Sequence, residues 1–191
     1  MILNLVDLNE HIVEAWKKWF VDVPDVNIEC NSIFSVTTDA IVSPGNSFGF
    51  MDGGLDLLIS NHFGWHIQER LQKIIKTEYN GELLVGQAVT IDTEDWLIPH
   101  VICAPTMRVP MQLKETINPY LAAKAIFVEA LRNPNINSVS ISGLCTLTGA
   151  VSPNICAKQM KKAYDDIILD KIKFPNSWFD SKNSHIGLRR P

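Results

Sequence analysis

The chain has 191 residues, 46% of them hydrophobic and 20% charged, with a formal net charge of −4 at pH 7. That is room for one domain with a full core, at most with a tail, and the mild acidity argues against a broad nucleic-acid or anionic-membrane surface. No apolar run approaches spanning length and no secretory signal is recognisable. Cys30, Cys103, Cys145 and Cys156 form no CxxC pair, so they read as reduced and mostly buried and the expected location is cytoplasmic.

Ile2 to Val6 reads as a first strand. Asp7 or Asn9 can cap a helix running to about Phe20, with Ile12, Val13, Trp16, Trp19 and Phe20 on one side. A tryptophan stripe at helical spacing is core packing before it is a binding face. Val23-Pro24-Asp25 breaks the chain, Val26 to Cys30 reads as a strand, and Ile33 to Val36 leads into the apolar run Ala40 to Val42, a short buried strand. Pro44 and Gly45 end that strand. A helix follows from about Leu55 to Lys76, its stripe made by Leu58, Ile59, Phe63, Ile67, Leu71, Ile74 and Ile75. Gly64 either kinks it or starts a second helix.

Asn80-Gly81 is a turn. Gln87 to Ile91 and Leu97 to Cys103 are expected strands about the acidic turn Asp92 to Asp95, and a loop with Pro105, Arg108 and Pro110 follows. Asn118-Pro119 starts a helix that ends near Asn133-Pro134. Ser138 to Ser142 is a buried strand feeding the loop Gly143 to Ser152, and Pro153 opens a helix to about Leu169. The last stretch, with Phe174, Pro175, Trp178, Phe179 and Pro191, has no clear period. It either straps across the body or mediates self-association. The expected division is a domain over 1–170 and a C-terminal tail over 171–191.

Strands alternating with helices predict an α/β fold with helices on both faces of a mostly parallel sheet, where ligands sit outside the carboxyl ends of the strands. Both glycine-rich loops fall at such ends. The first runs from Ser43 to Gly54 and then enters a helix. Glycines let backbone amides approach a guest and the first helical turn leaves donors unpaired, so strand, loop and helix together make an anion site, with phosphate the obvious guest. Gly53 and Gly54 are the candidate amide donors, and Phe48 and Phe50 flank them. Asn46 has two donors and an acceptor suited to ribose hydroxyls; its ordinary role is an Asx turn within its own loop. Asp52 and Asp56, four apart at a helix start, complement the helix dipole, and Asp56 beside bound phosphates would also suit a general base. In the second loop Thr146, Thr148, Gly149 and Ala150 are candidate phosphate contacts. His100 and Cys103 face opposite sides of a strand, no cluster has zinc spacing, and no P-loop lysine follows the second loop.

The spelling of these segments resembles the macro domain family. Asp39-Ala40-Ile41-Val42 is similar to its Asp-Ala-Ile-Val strand, Asn46 to the asparagine that closes it, Gly53-Gly54-Leu55-Asp56 to its glycine loop, and Phe63-Gly64 to the end of the helix. Gly86 to Thr90, Ile98 to Pro105 and Gly143 to Pro153 resemble later family strands and the second loop, so the likeness covers roughly 26–168, that of a divergent bacterial or phage-like member. It implies a three-layer α/β/α fold with a central mixed, mostly parallel sheet. It also implies binding of ADP-ribose or a related nucleotide diphosphate-ribose, with hydrolysis of ADP-ribosyl or O-acyl-ADP-ribose linkages and no metal or other cofactor.

By the same resemblance Asn46 holds the distal ribose and Asp56 positions or activates water. Gly53, Gly54, Leu55, Thr146, Thr148, Gly149 and Ala150 surround the diphosphate. Ser32 and Ile33 stand at the base end, where the family places an aspartate before the isoleucine. Departures are Ser43 for the family's first asparagine, Ser32 for that aspartate, Ser60 for a histidine, and Cys145 and Leu147 for glycines. The uncharged Ser32 and the fuller second loop keep a rival reading open, a non-catalytic reader or sensor of ADP-ribose or another nucleotide. A third reading is a structural domain with a decayed cleft.

Overall fold

The computed structural model describes residues 1–190; Pro191, the last residue of the expected tail, lies outside them. Six strands and six helices follow in chain order: β1 (Ile2–Asp7), α1 (Glu10–Trp19), β2 (Val26–Cys30), β3 (Ala40–Ser43), α2 (Gly54–Phe63), α3 (His66–Glu78), β4 (Val89–Asp92), β5 (His100–Cys103), α4 (Asn118–Arg132), β6 (Ser138–Ile141), α5 (Pro153–Ile167) and α6 (Trp178–Arg189). The strands form one sheet in the order β2-β1-β6-β3-β5-β4, parallel throughout except for the antiparallel pair β4–β5. This is the expected mixed, mostly parallel sheet of an α/β/α sandwich.

Alternating side chains divide the strands between two cores. Leu3, Leu5, Val42, Val139 and Ile141 pack with Trp16, Ile126, Phe127 and Met160 of α1, α4 and α5. Ile41, Val101 and Cys103 pack with Ile59, Ile67, Leu71 and Ile75 of α2 and α3 on the other face. Each fully buried Leu, Ile or Phe contributes about 1.5–3 kcal/mol, so both layers are held mainly by this burial. The tryptophan stripe of α1 is core: Trp16 is wholly buried with its Nε1 on Met160 Sδ, and Trp19 donates to Asn154 Oδ1 at 2.8 Å.

Local chemistry moves several expected boundaries. The helix expected over 55–76 is two helices, because Gly64 takes φ +104 and caps α2. Ile33–Ser35 is a 3-10 turn, started by Ser32, whose side chain accepts from Phe34 N. β4 starts at Val89 instead of Gln87, since the Gln87 side chain turns back to Leu84 N. β5 starts at His100, since Asp95 Oδ1 caps the amides of Leu97 and Ile98 and Pro99 has no amide to give. Asn9 is the cap of α1, while Asp7 accepts from Asn9 N and from Gly143 N, 136 residues away.

The tail without a period contains α6. It is fixed to α5 by its last turn: Leu188 is buried, Gln159 Nε2 donates to Leu188 O, and Lys158 Nζ donates to Gly187 O and Arg190 O. Trp178 and Phe179 at its start are exposed. At the β4 border of the sheet, Glu129 of α4 accepts from the Thr90 amide at 3.1 Å and its hydroxyl at 2.9 Å, covering the outer side of that residue. Among the described residues no helix is long and apolar enough to cross a membrane.

Candidate functional site

The carboxyl ends of β3, β5 and β6 gather three loops. The loop after β3 runs beside the loop after β5 as a continuation of the sheet: Ala104 N donates to Ser43 O, Thr106 N to Gly45 O, and Ser47 N to Arg108 O. Thr106 is the junction. Its hydroxyl donates to Pro44 O at 2.9 Å, and its carbonyl accepts from Asn118 Nδ2 and from the Cys145 thiol of the second loop. Leu113 N donates to Gly149 O, closing the path from the first loop to the second. Thr106 was missed in the sequence; its only signal there is that its loop follows the carboxyl end of a strand.

The first loop ends at an open helix terminus. Gly53 is the N-cap of α2 with no side-chain cap, and the first-turn amides of Gly54, Leu55 and Asp56 find no acceptor among the described residues. A side chain built at Gly53 or Gly54 would meet nothing within 4 Å. Unpaired amides on the positive end of a helix dipole, reached through open space, are a seat for an anion.

Beneath that terminus lies Asp56, only 8% exposed. Its Oδ1 accepts from Ser43 Oγ at 2.7 Å. Gly45 is required here by close approach, since a Cβ would stand 2.7 Å from Asp56 Oδ2. Burial pushes the Asp56 carboxyl up to about 6; the Ser43 hydrogen bond opposes this and the Asp52 charge adds to it. A cavity of about 10 Å³, the room one water needs, is lined by Asp56, Ser43, Gly45, Asn46, Phe50 and Cys103 among others.

Asn46 and Asp56 therefore share a cavity. Asn46, however, spends its amide on its own loop: Nδ2 donates to Phe50 O at 2.8 Å, and Oδ1 accepts from Phe48 N and Phe50 N. The expected second-loop residues do not line this cavity. Thr148 and Ala150 are exposed, Gly149 is buried, and Leu147, 75% exposed, stands clear of it. The loop is a compact double turn whose carbonyls are used inside: Gly143 O accepts from Thr146 Oγ1, Leu147 O from Ala150 N, and Cys145 O from Val151 N. The amides of Leu147, Thr148 and Gly149 find no acceptor among the described residues. Cys145 takes the left-handed backbone expected of a glycine, φ +63, with its side chain buried against Thr106.

At the far end Ser32 caps its 3-10 turn, Ile33 is buried in the second core, and Leu55 is partly buried against the same core. Arg108 pairs with Glu82 and lies over the Phe48 ring at 5.0 Å. A larger open groove of about 290 Å³ lies between the end of α3, α4 and the turn before β4 and contains none of the expected site residues.

Residues 23–174 match the family of macro-like domains. The chain belongs to that family. A protein of Aquifex aeolicus described only as uncharacterized is 30% identical over 137 residues, covering 71% of this chain and 78% of its own. Among solved structures the macrodomain of Mycobacterium tuberculosis DarG is similar in fold, at 20% identity and a TM-score of 0.62, covering 71% of this chain and 87% of that one. The Trypanosoma brucei macrodomain in complex with ADP-ribose is similar at 16% identity and a TM-score of 0.53, covering 70% of this chain and 55% of that one. The macro-like span takes in β2 to α5 and both loops, and stops short of α6.

Proposed function

We propose that this macro-like domain binds ADP-ribose or a related nucleotide diphosphate-ribose across its two loops and hydrolyses an ADP-ribosyl or O-acyl-ADP-ribose linkage. The observation that carries the reading is the uncapped N-terminus of α2, with three amides free, in a chain whose second loop also leaves amides free. A diphosphate needs donors from two sides, and bound ADP-ribose in the similar Trypanosoma brucei macrodomain supports the choice of guest.

In this reading the amides of Gly53, Gly54 and Leu55 and those of the second loop, from Thr146 to Gly149, hold the diphosphate, with Ala150 beside them. Ser32 and Ile33 border the base. Asn46 orients the distal ribose by trading its bond to Phe50 O for a ribose hydroxyl. Asp56 takes a proton from a water in the cavity beside it, which charge and position suit.

A second reading, binding without turnover, is favoured by the burial of Asp56, whose carboxylate reaches a ligand only through a one-water space. Calorimetry with ADP-ribose tests the shared part: binding is expected, and its absence overturns both readings. Turnover of ADP-ribosylated protein and of O-acetyl-ADP-ribose separates them. Hydrolysis should fall about a hundredfold or more in Asp56→Ala and Asn46→Ala. Wild-type turnover in both variants overturns the assigned roles, and intact binding with no turnover in the wild type selects the reader.

A further inference from the structure

The carboxyl of Asp56 is unusual in its company. It is buried, and the charged group that acts on it is another carboxylate, Asp52 of the loop. No lysine, arginine or histidine among the described residues offsets it: from β3 it meets Ser43, from β5 Cys103, and from the loop Gly45 and Asp52. Cys103 adds no second negative charge, since burial holds its thiol far above its ordinary range and hence neutral. An unpaired carboxylate in such a place costs stability, so some other feature must hold it.

Ser43 is that feature. It sits directly opposite Cys103 in the β3–β5 register, itself fully buried, and its hydroxyl reaches Asp56 Oδ1 at 2.7 Å. A hydroxyl can donate to an ionised carboxylate and can also accept from a protonated one, so it serves both charge states without moving. Among the described residues Oδ2 has no hydrogen-bond partner; it lies toward Gly45 on the cavity side.

We propose that Ser43 is a positioning residue that fixes one oxygen of Asp56 and leaves the other, facing the water-sized cavity, as the place where the site takes up and gives back a proton. The consequence rests on the nucleotide reading above. An anion seated on the α2 amides raises the cost of a second negative charge on Asp56, so binding draws in a proton. The diphosphate diester of ADP-ribose has no proton of its own to exchange between about pH 5 and 8, and any such uptake belongs to the protein.

The test begins without ligand, on protein carrying ¹³C-labelled aspartate. The carboxyl resonance of Asp56, assigned by its loss in Asp56→Asn, should titrate near 6 in the wild type. It should titrate about half a unit to one unit higher in Ser43→Ala, and return toward the wild-type midpoint in Ser43→Thr, which restores the hydroxyl. A midpoint unchanged by Ser43→Ala, or not restored by Ser43→Thr, overturns the proposal. Adding ADP-ribose should move the wild-type midpoint upward and make affinity rise as pH falls from 8 to 5; a flat affinity with binding intact overturns the coupling. If ADP-ribose fails to bind at any pH while the ligand-free shifts appear, the nucleotide reading falls and the positioning role of Ser43 stands.

Discussion

The two loops at the sheet's rim use glycine for opposite ends. Gly149 of the second loop is there for the fold: a Cβ would come within 2.6 Å of the Cys145 carbonyl oxygen, a backbone atom that has no room to yield. Gly53 of the first loop answers no such need. Its backbone is extended, with φ −150, and a side chain there would meet nothing. The helix ends differ in the same sense. α5 is closed by Ser152, whose side chain accepts from Ile155 N, and by Pro153 in its first turn, whereas α2 is left open. A residue type that the fold does not need, beside donors that the fold does not use, is where the proposed function seats its guest.

Substitutions can break or sharpen that contrast. The largest effect on stability is expected from Gly149→Ala, about 3 kcal/mol of destabilisation, read by urea unfolding, because overpacking against backbone is not relieved by a side-chain shift. Next comes Asp56→Asn. The folded carboxyl titrates near 6 against an ordinary 3.8, so the folded state keeps a proton that the unfolded chain has lost between those values. Wild-type stability therefore gains as pH falls from about 6 toward 4, and the ionised form is a cost above 6. Asp56→Asn should be more stable than wild type by about 3 kcal/mol at pH 8, with the difference fading by pH 4.

Gly53→Ala should leave unfolding nearly unchanged while weakening ADP-ribose about tenfold, or about 1.4 kcal/mol, by calorimetry. Equal losses in stability and affinity would instead place Gly53 with Gly149 as a structural glycine. The smallest effect is expected at Ala150, exposed and at φ +53: Ala150→Gly relieves left-handed strain against a larger entropy cost in the unfolded chain, for a net gain of about 0.5 kcal/mol.

What could be read from the residues alone was whatever nearby residues decide. Ala40 to Val42 bounded by Pro44, the Asn118-Pro119 and Pro153 helix starts, and the glycine step at 64 all carry their cause within a few positions. The Asx turn of Asn46 was equally legible, being made with Phe48 and Phe50. The illegible parts are long-range. Asp7 looked like a helix cap and instead holds Gly143 N; Thr106 ties two loops that the chain separates by some forty residues; Ser43 looked like a missing asparagine and instead meets Asp56. α6 shows no stripe because polar contacts from Lys158 and Gln159 hold its last turn, and those cannot be inferred from its own residues.

The carboxylate of Glu129 has a consequence beyond its own helix. An outermost strand with idle amides is a template on which a stray chain can zip. Because Glu129 already occupies both the amide and the hydroxyl of Thr90, the middle of that border is blocked by a side chain from within the same molecule. Glu129→Ala would leave the loops at the sheet's rim alone, and is expected to raise aggregation from that far flank during concentration or heating, read by light scattering.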